Sequence, residues 1–315
     1  MIRVLLAAAV LLALAPGLPG QDADDFAVGV LRRDGVVIPF ATFDGRWNTP
    51  WPAGVRGIDL PIALADIPKR WWGDLQPPTE MTAWADGVRL GPVRLERPSM
   101  MPIMCTPRIA LKSDYKSKQP APLLAQPFPK DGLVTTGRPP VQALPSVERG
   151  SADWTAAAVT ILDAFNEAEE RAARTFTDWR HPFARNARQR MTIELEALYR
   201  APMDDEGWSA YYVEAVRRYP LEPEDEGCGL VTFTSGWVRI SPKGQPLMDL
   251  SSRISYCDRK GVSYILPLGL MTVDGKTYWI YQKSGFDAEW YVVARPTSRA
   301  IEIHAEYAAG ACPPQ

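Results

Sequence analysis

His181 and His304 are the only histidines in the 315-residue chain, so Ser-His-Asp chemistry or a histidine metal site must pass through one of them. On a strand over 300–307, Ile301, Ile303, Ala305 and Tyr307 share one face, and Glu302, His304 and Glu306 share the other. A two-residue turn at Thr297-Ser298 sets Ala294 opposite Ile301, Val292 opposite Ile303 and Trp290 opposite Ala305 on the apolar side. The same register gathers Glu289, Tyr291, Glu302, His304 and Glu306 into one polar patch. Carboxylates flanking an imidazole favour its protonated form, which suits a proton donor or a cation-binding surface. A carboxylate-dependent hydrolase, acting on glycans, would therefore draw on Glu289, His304 and Glu306. Glu302 and Glu306 stand roughly 13 Å apart along one strand, too far for paired glycosidase carboxyls, which sit about 5 to 9.5 Å apart. The plainer expectation for this face is a solvated sheet surface, and no catalytic residue is assigned outright.

His181 lies in Trp179-Arg180-His181-Pro182-Phe183, where a surface or capping role is expected. Two acidic segments, Asp204-Asp205-Glu206-Gly207 and Glu222-Pro223-Glu224-Asp225-Glu226-Gly227, lack the calcium-loop pattern and read as solvated turns. The chain carries no G-x-S-x-G, H-E-x-x-H, G-x-x-x-x-G-K-[ST] or G-x-G-x-x-G, so the common serine-hydrolase, zinc-protease and nucleotide-binding signatures give no support and no cofactor is expected. With no C-x-x-C and two histidines, no metal site is expected either.

Aromatic chemistry is more plentiful. The chain has 11 Trp, and Trp47, Trp51, Trp71 and Trp72, with Trp84, lie in or beside Pro- and Gly-rich segments. Flat rings with polar edges stack on sugars or pack on peptides. An exposed cluster of Trp47, Trp51, Trp71 and Trp72 is the expected ligand-binding surface, against core packing as the alternative.

All four cysteines lie beyond residue 100. Ser241-Pro242-Lys243-Gly244 has the residues of a type I turn, and folding the chain there brings Cys228 and Cys257 opposite each other. A bulge at Gly244 slips this by one residue and still leaves them within disulfide reach. Cys105 then pairs with Cys312. Residues 1–20 place Arg3 before an apolar run from Val4 to Ala15, followed by Pro and Gly. This reads as a secretory signal, which implies a secreted or periplasmic protein with no transmembrane span after it.

The elements that must position these residues fall into three regions. Residues 21–118 form a small β domain, with hairpins of strands 26–33 and 36–43 around Asp34-Gly35 and of 81–85 and 88–96 around Asp86-Gly87. Residues 119–150 form a Pro-rich extended connector, too rich in Pro for helix or central strand. Residues 151–315 begin with a helix capped by Ser151, whose apolar stripe runs through Trp154, Ala158, Ile161, Phe165, Ala168, Ala172 and Phe176. Eight period-2 segments follow at 190–200, 208–218, 228–240, 249–257, 263–271, 276–283, 288–295 and 300–307.

The expected fold class is α+β, mostly β: a small β domain, a connector, then one long helix packed on an antiparallel meander. An open curved sheet is favoured over an up-and-down barrel. At 46% hydrophobic and 23% charged residues, the chain has the composition of a packed globular protein, not a disordered one. Its net charge of -2 gives no footprint for nucleic acid. The expected function is an exported, disulfide-stabilised binding or scaffold protein whose partner is a glycan, a peptide or an envelope component. The alternatives are the carboxylate hydrolase and a carrier of an apolar ligand between helix and sheet.

Overall fold

In a computed structural model of the chain, the structure describes residues 25–51, 79–123, 127–137, 140–175, 181–220, 227–285 and 287–312. Residues 1–20, expected to be a secretory signal, together with Trp71, Trp72, Phe176 and residues 222–226 of the second acidic segment, lie outside the described residues.

The first strands are β1 (Phe26–Arg32), β2 (Val36–Phe43), β3 (Trp47–Asn48), β4 (Glu80–Ala85), β5 (Val88–Ile103), β6 (Thr106–Ser113) and β7 (Lys130–Thr135). Their order β1-β7-β4-β5-β6-β2, with β2 pairing back onto β1, closes a six-stranded barrel that carries β3 as an extra strand. Asp86 and Gly87 both adopt positive φ, as a two-residue type I′ hairpin requires. Asp274 and Gly275 repeat this further along.

Strand β7 corrects the expectation that the Pro-rich connector holds no central strand. Its six residues, Lys130 to Thr135, contain no Pro and fill the gap between β1 and β4. Further along the connector, β8 (Val141–Gln142) pairs with the later strand bearing Leu270 and Met271. The amide of Val147 donates to Leu198 at 2.8 Å.

Helix α1 (Ala152–Thr175) starts where Ser151 Oγ accepts the Trp154 amide, the expected cap. A short α2 (Arg185–Arg188) follows. The eight expected strands are all present: β9 (Glu194–Pro202), β10 (Ser209–Tyr219), β11 (Leu230–Ile240), β12 (Pro246–Tyr256), β13 (Tyr264–Val273), β14 (Lys276–Ser284), β15 (Ala288–Pro296) and β16 (Ile301–Ala311). They do not form one sheet. Strands β12-β11-β10-β9 make a four-stranded sheet, and β16-β15-β14-β13-β8 make a five-stranded one. The chain crosses between them in residues 257–263, where β12 ends and β13 begins without pairing to it.

The molecule is therefore layered. One face of the five-stranded sheet packs on the barrel, where Met271, Ile280, Tyr291, Val293 and Tyr307 join the core of Val28, Val30, Phe40 and Leu133. Its other face packs on the four-stranded sheet through Leu270, Trp279, Tyr281 and Val292 against Ala201, Ala210 and Tyr212. The far face of the four-stranded sheet takes α1, with Ile161 and Phe165 seated on Leu195, Leu198, Val213 and Val238. Alternation along β10 explains the arrangement: Tyr212 points to one neighbour and Val213 to the other. The helix stripe is a core contact, because Phe165 and Ile161 are buried directly against strand side chains.

A charged network fastens helix to sheet. Arg217 of β10, 0% exposed, bonds Glu169 at 2.5 Å, Asn166 at 2.8 Å and the Met191 carbonyl. The Tyr219 hydroxyl donates to the same Glu169.

Both disulfides are present, Cys105 with Cys312 and Cys228 with Cys257. The β11–β12 register pairs Leu230 with Tyr256, one residue off the symmetric fold at Pro242/Lys243, and Cα atoms of Cys228 and Cys257 lie 6.0 Å apart. The other bridge fixes the end of β16 to the β5–β6 turn, where Arg108 also donates to the carbonyls of Ala308 and Ala309. Among the described residues no helix is long and apolar enough to cross a membrane.

Candidate functional site

Among the described residues, two clefts combine charged and aromatic side chains in their linings. The larger, about 670 Å³, lies where the barrel meets β13 and includes Arg33, Tyr115, Lys130 and Asp131 in its lining. These groups satisfy one another or a neighbour: Arg33 pairs with Asp131, Tyr115 donates to Asp131, and Lys130 pairs with Glu289 at 2.8 Å. Burial first, then its bond to Asp131, pushes the Tyr115 hydroxyl up to about 12. Lys116 and Lys118 also line this cleft without a carboxylate partner among the described residues, but Tyr115 is its one aromatic ring, so it lacks a stacking platform.

The second cleft, about 410 Å³, opens between the two sheets. Tyr212 comes from β10; Phe233, Ser235 and Trp237 from β11; Ser251, Ser252 and Arg253 from β12. Gly261, Ser263 and Ile265 come from the crossover and the start of β13, and Tyr281 and Lys283 from β14. The half-buried indole of Trp237 is the centre of an aromatic group, with ring centroids 5.4 Å from Tyr212, 4.8 Å from Trp279 and 6.2 Å from Tyr281.

Local sequence explains the shape. A Cβ on Gly236 would lie 2.1 Å from the Asp249 carbonyl oxygen, and its φ of +153° falls where side chains are rarely tolerated. Glycine thus lets β12 approach β11 beside Trp237. The crossover that frames the mouth is pinned twice, by Cys228–Cys257 and by Arg259, which bonds Glu196 at 2.6 and 2.5 Å.

Glu214 stands behind this lining on β10, 7% exposed. It shares the Tyr212 face, two residues on, and its Oε1 accepts the Ile265 amide at 2.9 Å. Burial pushes its carboxyl up to about 7, opposed by that amide bond. Burial, with Glu214 as a neighbouring charge, also pushes the Tyr212 hydroxyl well above its ordinary value. A carboxyl poised near neutrality beside an aromatic, hydroxyl-lined cleft is a recurrent mark of a functional site.

The residues singled out from the sequence lie elsewhere. Trp47 and Trp51 are 6% and 5% exposed, which corrects the exposed cluster expected of them. Trp47 packs edge-on against Phe26, Phe43 and Tyr278, because the barrel end and the five-stranded sheet need a large apolar group between them. Trp84 is partly buried and donates its indole N–H to Thr135.

The polar patch on the last hairpin is also corrected. The turn falls one residue later, at Ser298-Arg299, where the Thr297 amide donates to Ala300, so Arg295 faces Glu302; bulges between Val293 and Ala294 and between Glu289 and Trp290 then set Val292 opposite Glu306 and Glu289 opposite Gly310. Each bulge inverts the alternation beyond it. Glu289 keeps the phase of Tyr291 and Val293, whose face packs on the barrel, and holds Lys130 and the Tyr291 hydroxyl, while Glu306 is turned to the other face beside Val292 and stays exposed. His304 sits beside Glu302 at 3.4 Å and meets the Tyr278 ring edge-on. The arrangement required for joint acid–base work by Glu289, His304 and Glu306 is not formed.

The first acidic segment is not a free turn: Asp204 binds Arg295 and the Thr277 amide, and Asp205 accepts the Ser298 amide. Among the described residues no group of three or more His, Cys, Asp or Glu could hold a metal ion.

Trp237, Tyr212, Tyr281, Arg253, Lys283 and Glu214 were not singled out by sequence reasoning. One signal was visible: Glu214 occupies an inward phase of the apolar strand Tyr211-Tyr212-Val213-Glu214-Ala215, where an unexplained carboxyl marks a special environment.

No family model, curated protein or solved structure matches this chain.

Proposed function

We propose that the protein is an exported, disulfide-stabilised binding protein whose inter-sheet cleft holds a glycan. The observation that carries this reading is the partly open Trp237 ring, flanked by Tyr212 and Tyr281 and bordered by the hydroxyls of Ser235, Ser251 and Ser263. Aromatic faces match the apolar C–H faces of sugar rings, and short hydroxyls match their OH groups. Export is supported by Arg3 with its following apolar run and by the two disulfides.

A glycan array probed with the full chain, disulfides formed, tests the reading. The expected result is retention of a restricted set of saccharides by the unaltered chain, with at least tenfold loss in Trp237→Ala at a temperature below the variant's own unfolding transition. Equal retention by Trp237→Ala, or no retention by the unaltered chain, would sink it.

A further inference from the structure

We infer that the cleft selects a glycan bearing an anionic substituent, a carboxylate or a sulfate, read by Arg253 and Lys283; this rests on the glycan reading above. The lining contains two cationic side chains and no Asp or Glu, in a chain whose acids outnumber its Lys and Arg by 37 to 35. Neither cation has a carboxylate partner among the described residues. This separates them from Arg217, Arg239, Arg259, Arg295 and Lys130, each of which is paired with Asp or Glu.

The two are also held in place. A Cβ on Gly261 would meet Arg253 Nε and Nη2 at 2.9 Å, so the guanidinium lies against the bare backbone of the crossover. Exposed at the mouth of the cleft, it presents a planar fork suited to two oxygens of one anion. The Lys283 ammonium rests over the Trp290 ring at 5.2 Å, which steadies its stem and leaves donors for a second oxygen. Glu214, buried behind the lining, has Oε1 bonded to the Ile265 amide and does not line the cleft. Arg253 and Lys283 therefore recognise the charged substituent, the aromatic group recognises the ring face, and the serines recognise its hydroxyls.

Three matched probes decide the matter: α-1,4-galactotriose, its fully oxidised counterpart trigalacturonate, and 6-sulfated galactotriose, each titrated calorimetrically into the full chain. Trigalacturonate or the sulfated trisaccharide is expected to bind at least tenfold more tightly than the neutral one, with the advantage shrinking as salt rises. The stronger of the two names the anion. Arg253→Gln/Lys283→Gln is expected to erase that advantage, so that charged and neutral probes bind alike, whereas Trp237→Ala loses all three ligands. Comparable affinity for neutral and charged probes overturns the inference and spares the glycan reading. A preference that survives in the double variant also overturns it, since other groups would then be reading the charge. Absence of binding by all three overturns both.

Discussion

Glu214 is the side chain whose chemistry departs most from its surroundings. It is raised from an ordinary 4.5 to about 7 by burial, so between those values the folded chain keeps a proton that the unfolded chain releases. The folded state then binds more protons, and stability falls as pH rises through that window. Glu214→Gln, which mimics the protonated form, is expected to be more stable than the unaltered chain at pH 8 by ~3 kcal/mol, with the difference vanishing near pH 4.5. Urea midpoints at the two pH values check this. His181 acts in the opposite sense: burial first, then Arg188, pushes it from 6.5 down to about 4. Its contribution is complete above pH 6.5 and is lost as pH falls through about 4. Comparing Glu214→Gln with the unaltered chain cancels it. Glu214 could be seen in the sequence as a carboxyl in a core phase of β10. Its bond to Ile265 could not, because 51 residues separate them.

Helix α1 and strand β10 are joined by the Arg217–Glu169 pair, both partners buried. Removing one member of such a pair strands the other, which costs roughly 3 to 5 kcal/mol. Glu169→Ala is expected to lower stability by about that amount, and Glu169→Leu/Arg217→Met to recover much of it, both read from denaturation midpoints. At the mouth of the cleft, Cys228→Ser/Cys257→Ser should cost about 3 to 4 kcal/mol for a 29-residue separation. It should also weaken saccharide binding, because the crossover bearing Gly261 and Ser263 loses a tether; calorimetry would show it. Elements of this kind were legible. The stripe from Trp154 to Ala172 and the eight period-2 segments announced α1 and β9 to β16. The faces of β15 were read correctly, with Trp290, Val292 and Ala294 together, whereas those of β16 were misread because two bulges, invisible in residue type, invert its alternation.

Across the whole molecule, the barrel, two sheets and helix are stacked so that each sheet buries both faces. Cys105–Cys312 spans 207 residues and ties the last strand to the barrel. Its removal by Cys105→Ser/Cys312→Ser should cost up to about 5 kcal/mol in the chain-entropy limit, more than loss of the shorter bridge. Differential thermal midpoints of the two double variants test that ranking. Barrel closure and the division of eight strands into two sheets were not legible, because both depend on contacts distant in sequence. Strand β7 pairs with β1 across separations of 98 to 107 residues. The cleft follows from that division: its lining is gathered from Tyr212 to Lys283, and no short motif encodes it. The most direct measurement is amide hydrogen exchange of the full chain with and without saturating trigalacturonate and, in parallel, galactotriose. The account predicts slowed exchange in β11, β12 and residues 257–263; protection confined to the barrel-side cleft around residues 114–119, or no protection with either sugar, would contradict it.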